Sequence, residues 1–246
     1  MFSQRLLTFS FVFATVLLGS CQKENAFDCV KSTGKIVTET RELPPFRILK
    51  VYDNLDVKIV ADTKHFVEVK AGKNLQENVL AEVKNGELWL QNINKCNWVR
   101  SYKKPMEVTV HTPRLTDIVH DGFGTISSES PLPADTIFLH LTSAGNYDLN
   151  VKTYSIWLDM YETGDMKLRG TNQKLLAYNY SMGRLFASDL QNQEAIVQVS
   201  HLGDAYVDAT KVLHAKIESK GNVYYKNQPD NLSRSGNGSG QLIQQK

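Results

Sequence analysis

The chain has 246 residues, of which 41% are hydrophobic and 22% charged, and its formal net charge is +2. That composition suits a globular body, and the near balance of charge excludes the strongly basic surface that a nucleic-acid partner requires. The one local basic cluster, Arg100–Lys104 (RSYKK), reads as a solvated loop rather than a phosphate site.

In chain order, Arg5 comes first, before an apolar stretch that ends in Leu18-Gly19-Ser20-Cys21. A cationic start and about a dozen apolar residues fall short of a membrane span and read as a secretory signal over residues 1–20. The four residues before and at the cysteine resemble the bacterial lipobox, which implies cleavage before Cys21 and its lipidation. A plain signal peptide with a chance cysteine is the alternative. Acyl chains on Cys21 would tie the chain to a membrane, since each buried methylene adds roughly 0.8 kcal/mol. Gln22-Lys23-Glu24-Asn25 resembles the surface-export signal of Bacteroidetes lipoproteins, and residues 21–35 read as a lipidated linker. Cys29 and Cys96 form an even pair in an exported chain, which predicts a disulfide worth roughly 2–4 kcal/mol. Neither lies in a CxxC motif, so redox catalysis and zinc binding are not expected of them.

Five alternating runs follow between Phe46 and Thr112: FRILKVY, LDVKIVA, FVEVKAG, GELWLQN and MEVTVHT. Period-two alternation predicts strands. They are expected to lead into a regular body, with an insertion over about residues 72–105. Asn85-Gly86 between two such runs predicts a tight hairpin. Pro113 marks an edge or corner.

From residue 116 a repeat takes over. Gly124, Gly145, Gly164, Gly183, Gly203, Gly221 and Gly240 are spaced by 21, 19, 19, 20, 18 and 19 residues. Apolar residues fall four and six positions before the glycine and two and four after it, as in Leu141 and Leu139, or Tyr147 and Leu149. Both flanks are therefore strands, and a constant short period points to a solenoid. The predicted fold is all-β: a parallel β-solenoid with rungs of 18–21 residues over 116–246, preceded by a more irregular β region over 36–115, the two forming one domain over 36–246. Seven rungs at about 4.8 Å give a body on the order of 30 Å long. The glycines are expected to supply positive φ at one corner. Asn146, Asp165, Asp204 and Asn222, which follow four of them, are expected to bond their own backbone as turn residues, with Arg184 interrupting any ion-binding row.

The segments PFRILKVYDNLDVKIV, ELWLQN and KPMEVTVHTPRLTDIVHDGFGTI, followed by the repeated small-residue glycine turns, resemble the auto-transporter adhesin head GIN domain family of Bacteroidetes lipoproteins. The resemblance covers about residues 36–246. It implies a solenoid-like β domain in an exported protein and brings no catalytic residues with it.

Chemistry on this scaffold is sparse. Outward positions include His140, Asp159, Tyr178, Gln198 and Lys216, one per rung, and His140 and Asp159 are expected to be neighbours. Such a pair reads as a cross-strand contact rather than a catalytic dyad. No HExxH, nucleophile elbow or phosphate loop is present, so no catalytic residue, metal or cofactor is assigned. Aromatic residues carry more information. Phe186, Tyr206 and Tyr224 lie three residues after successive corner glycines, and Tyr161 and Tyr180 lie three before. In register they form ladders that either stack sugar rings and partner surfaces or simply stabilise the solenoid. A one-residue slip would turn them inward.

The sequence thus points to a lipid-anchored, non-enzymatic protein of the cell envelope, exposed on the outer membrane. It would adhere to or bind a glycan or another envelope protein through a rigid face. A periplasmic or envelope scaffold is the alternative, and a carbohydrate-active enzyme the remotest reading.

Overall fold

The structure is a computed structural model that describes residues 32–94 and 106–245. Cys21, Cys29, Cys96 and the cluster Arg100–Lys104 lie outside the described residues, as do the signal peptide and most of the linker.

The alternating runs are strands throughout. The N-terminal part comprises β1 (Ile36–Glu42), β2 (Ile48–Asp53), β3 (Asp56–Ala61) and β4 (Phe66–Gly72), then a 3-10 turn over Lys73–Asn78, then β5 (Val79–Lys84), β6 (Glu87–Asn92) and β7 (Glu107–Thr112). The regular part opens with β8 (Asp117–Gly122), β9 (Thr125–Ser127), β10 (Leu132–Leu141) and the long β11 (Asn146–Met160). It continues with β12 (Met166–Thr171), β13 (Lys174–Asn179), β14 (Leu185–Gln191), β15 (Glu194–Val199) and β16 (Ala205–Val207). The last strands are β17 (Val212–Ile217), β18 (Val223–Tyr225), β19 (Asn231–Ser235) and β20 (Leu242–Gln244).

Each rung places one strand before its glycine corner and one after it. The strands before the corner stack as a first sheet, β8, β10, the C-terminal half of β11, β13, β15, β17 and β19, all parallel. Those after it stack as a second parallel sheet, β9, the N-terminal half of β11, β12, β14, β16, β18 and β20. Alternation then fills the space between the sheets. Leu139, Leu158, Ala177, Val197 and Ala215 lie in register on the first sheet, opposite Tyr147, Met166, Leu185, Ala205 and Val223 on the second. None of the ten is more than 2% exposed.

The N-terminal part joins this stack out of chain order. The β2–β3 pair lies against β8 and β9 as a further parallel rung. Beyond it, β6 pairs in parallel with β2, and β7 with β3. The expected insertion over 72–105 is therefore corrected: Glu87–Asn92 within it is a layer of the first sheet. With these layers the stack is on the order of 40 Å long rather than 30 Å. The outer edges are closed by antiparallel strands, β5 on β6 in the first sheet and β4 then β1 on β7 in the second. The hairpin at Asn85-Gly86 is present, with φ of 53° and 77° as a type I′ turn needs.

Two expectations about the glycine corner are corrected. None of the seven corner glycines has a positive φ; among the described residues the glycines that do are Gly34, Gly86, Gly170 and Gly236. Space is what selects glycine. A Cβ on Gly164, Gly183, Gly203 or Gly240 would stand 1.8–2.0 Å from the carbonyl oxygen of the preceding corner glycine. The Asx side chains do not serve their own turns either. Asn146 Oδ1 accepts from the N–H of Asp165 (2.9 Å), Asp165 Oδ1 from that of Arg184 (2.8 Å), Asp204 Oδ1 from that of Asn222 (2.7 Å) and Asn222 Oδ1 from that of Gln241 (2.8 Å). Each continues the inter-rung ladder where a backbone N–H would otherwise lack a protein partner. The opposite corner has its own ladder: Thr153 Oγ1 donates to Asn172 Oδ1 (2.9 Å), and Asn172 Nδ2 to Asn192 Oδ1 (2.8 Å).

Candidate binding faces

With the interior filled by side chains, the aromatic rows among the described residues sit on the two outer faces. On the second sheet, register places Phe186 beside Tyr206 and Tyr206 beside Tyr224. Their rings stack with centroids 5.3 and 4.7 Å apart and planes within 12°. The Arg184 guanidinium lies 5.1 Å from the Phe186 centroid and pairs with Asp165 at 3.0 Å. Next to this ladder is an open groove of about 570 Å³, lined by Lys167, Leu168, Phe186, Ser188, Asp189, Tyr206 and Gln245.

On the first sheet, Tyr161 and Tyr180 stack at 5.5 Å, and Tyr178 lies 6.3 Å from Tyr180. His140 and Asp159 are register partners, with His140 Nδ1 2.9 Å from Asp159 Oδ2. One row further along, the same face carries Phe138, Trp157, Leu176 and Ile196 in register. Trp157 and Ile196 are both 43% exposed, and Phe138 approaches Trp157 with centroids 6.0 Å apart. Near the N-terminal edge Tyr52 stacks on Trp89 at 5.5 Å, with the Lys50 ammonium 4.8 Å from the indole.

All five aromatic residues expected to face outward do so, in the expected register. Sequence reasoning missed the Phe138–Trp157–Leu176–Ile196 row and the Tyr52–Trp89 pair. The first was legible, because its members recur at 19, 19 and 20 residues on outward positions. The second was not, because its two strands are adjacent only through the out-of-order layer.

The fold has counterparts among known proteins. A family profile described as "Putative auto-transporter adhesin, head GIN domain" matches residues 45–229. The chain belongs to this family. Similar solved structures include a putative adhesin from Bacteroides fragilis, at 22% identity and a TM-score of 0.77, covering 86% of this chain and 97% of that one. A putative lipid binding protein from Parabacteroides distasonis follows at 18% identity and a TM-score of 0.66, covering 87% and 98%. A putative adhesin from Parabacteroides merdae has 20% identity and a TM-score of 0.63, covering 87% and 98%. At these identities the likeness shows a shared fold alone. No curated protein matches the chain. None of these descriptions is of an enzyme.

The electrostatics of the GIN-domain faces are mild. The hydrogen bond that His140 donates to Asp159 raises the His140 pKa against a smaller opposing effect of burial. Burial, helped by the Asp159 carboxylate, raises the Tyr161 phenol, so it stays a neutral donor. Buried His120 is the opposite case: loss of solvent lowers its pKa, and its Nε2 lies 2.8 Å from Gly124 O. It takes the interior corner place that Asn179, bonded to Gly183 O at 2.9 Å, takes further along. Among the described residues no three His, Cys, Asp or Glu side chains converge as metal ligands.

Proposed function

We propose that this GIN-domain chain is a lipid-anchored protein of the cell envelope that binds or adheres without catalysis, through the outer faces of its solenoid. One observation carries the reading: aromatic side chains stand in register on both outer faces of a frame whose interior is already packed. Side chains held by neighbouring rungs lose little freedom on binding, so a flat face of this kind favours a partner without rearrangement. The polar groups beside the rings are paired with one another, as His140 is with Asp159 and Arg184 with Asp165, which suits recognition better than proton transfer. Lipid on Cys21 would hold the platform at the outer membrane. The fold shared with a protein described as lipid binding adds this: with so filled a core, any lipid would have to lie on an outer face.

Protease treatment of intact cells tests the reading. Cleavage of the chain without lysis, and its release into the soluble fraction by Cys21→Ser, are the expected results. Protection until the outer membrane is broken would instead favour a periplasmic scaffold.

A further inference from the structure

The two aromatic faces differ in what they leave open. In the Phe186–Tyr206–Tyr224 ladder the ring faces cover one another, and all three rings are half-buried. Mutual stacking along the solenoid accounts for them. On the first sheet Tyr161 and Tyr180 also stack, but the rings are exposed rather than half-buried. Trp157, Tyr161 and Tyr180 are 43%, 50% and 38% exposed, and Phe138 is tilted 41° from Trp157 rather than stacked on it. The two ring clusters, Phe138–Trp157 and Tyr161–Tyr180, stand four residues apart along the chain, about 13 Å at strand rise. Between them lies a polar pair, His140 and Asp159, whose side chains keep 34% and 24% of their surface in solvent.

We propose that this face of the first sheet, centred on Trp157, takes a neutral oligosaccharide. The inference rests on the binding role proposed above and names its ligand class. A pyranose presents C–H faces to aromatic rings and hydroxyls at its rim. Such a chain laid along the strand direction meets a ring, then the His140–Asp159 pair, then a ring again. Asp159 accepts hydroxyl protons with the oxygen lone pairs that His140 leaves free, and the neutral Tyr161 phenol donates or accepts beside it. A flat protein partner fits less well, because it would strip water from the Asp159 carboxylate at the centre of the contact, where interfaces are depleted in charge. An acyl chain offers that carboxylate no hydrogen bonds at all. Asp117, register partner of Phe138, adds a second carboxylate to the face and disfavours acidic sugars.

The test is retention of the purified chain on an immobilised array of neutral pyranose oligosaccharides of four to six units. Wild type and Tyr154→Ala, an exposed ring at the corner between the two sheets, should be retained alike, whereas Trp157→Ala and Tyr161→Ala should lose about ten-fold or more. These rings are exposed, so the variants should keep the wild-type circular dichroism and melting temperature. An array that retains nothing overturns the proposal. Loss in Tyr154→Ala equal to that in Trp157→Ala overturns it by moving the site off this face. Self-association that Trp157→Ala abolishes, with no sugar bound, overturns it in favour of a second copy. Beads coated with the chain are tested on cells in parallel. If they adhere although no sugar is retained, only the ligand class fails; if they do not adhere either, the binding role fails with it.

Discussion

At Gly183 the cost of a single methyl group can be argued from distance. A Cβ there would lie 1.9 Å from Gly164 O, a backbone atom that cannot turn aside. Gly183→Ala is expected to destabilise by roughly 3 kcal/mol, or about 6–12 °C in Tm. Gly86→Ala is the contrast: its Cβ meets nothing within 4 Å, and only the left-handed φ of 77° resists it, at about 1 kcal/mol. Equal losses in the two variants would contradict the close-packing account of the corner. The histidines give a second residue-scale prediction, with opposite signs. The native state holds the His140 proton more tightly than the unfolded chain, so its contribution is complete below pH 6.5 and fades as pH rises through the native pKa. His120 is held neutral, so below pH 6.5 the unfolded chain takes up a proton that the native state refuses, and stability falls. His140→Gln should therefore lower the urea midpoint more at pH 5.5 than at pH 8. His120→Asn, which places at this corner the residue type that Asn179 supplies further along, should show the reverse order.

Elements are joined to one another at corners, and there the backbone ladder needs help. The Thr153–Asn172–Asn192 chain crosses three rungs at the corner opposite the glycines, and all three residues are buried. Asn172→Ala would leave Thr153 Oγ1 without its acceptor and Asn192 Oδ1 without its donor. Unpaired buried groups cost about 1–3 kcal/mol each, so a clear fall in the urea midpoint is expected. The ends of the stack show a related logic. Antiparallel β1, β4 and β5 close the N-terminal edges, and the edge strand β1 carries Glu39, Arg41 and Glu42, which discourages further pairing. At the other end Arg234 takes the register place of Ala215 and turns its guanidinium to the carbonyls of Gly238 (2.8 Å) and Gly240 (3.1 Å). A charge at that place ends the apolar column.

Over the whole molecule, the proposed Cys29–Cys96 bridge would tie the N-terminal arm to the segment between β6 and β7. Those two strands form the outermost parallel layer, so a cross-link there would hold the cap against fraying. Cys29→Ser is expected to lower stability by roughly 2–4 kcal/mol under oxidising conditions and to leave it unchanged with reductant present. An unchanged Tm in both conditions would count against the bridge.

The division between sequence and structure follows from the range of the interactions. Spacing and parity by themselves determined the solenoid, the inward and outward positions, the Asn85-Gly86 hairpin and the outward aromatic rows. Each of the repeating features depends on a period that one rung hands to the next, and the hairpin on two adjacent residues, so local pattern contains them. Tertiary structure alone decided that β6 and β7 lie outside β2 and β3, because antiparallel reversals at β4 and β5 carry the chain back past its own first rung. It decided that the corner glycines are chosen for contact between carbonyl and Cα, and that the Asx side chains bond the following rung. It also showed which aromatic face is open and which covers itself. Those facts depend on distances between residues about twenty positions apart or more, set by the stacking of rungs rather than by the residues in any one of them.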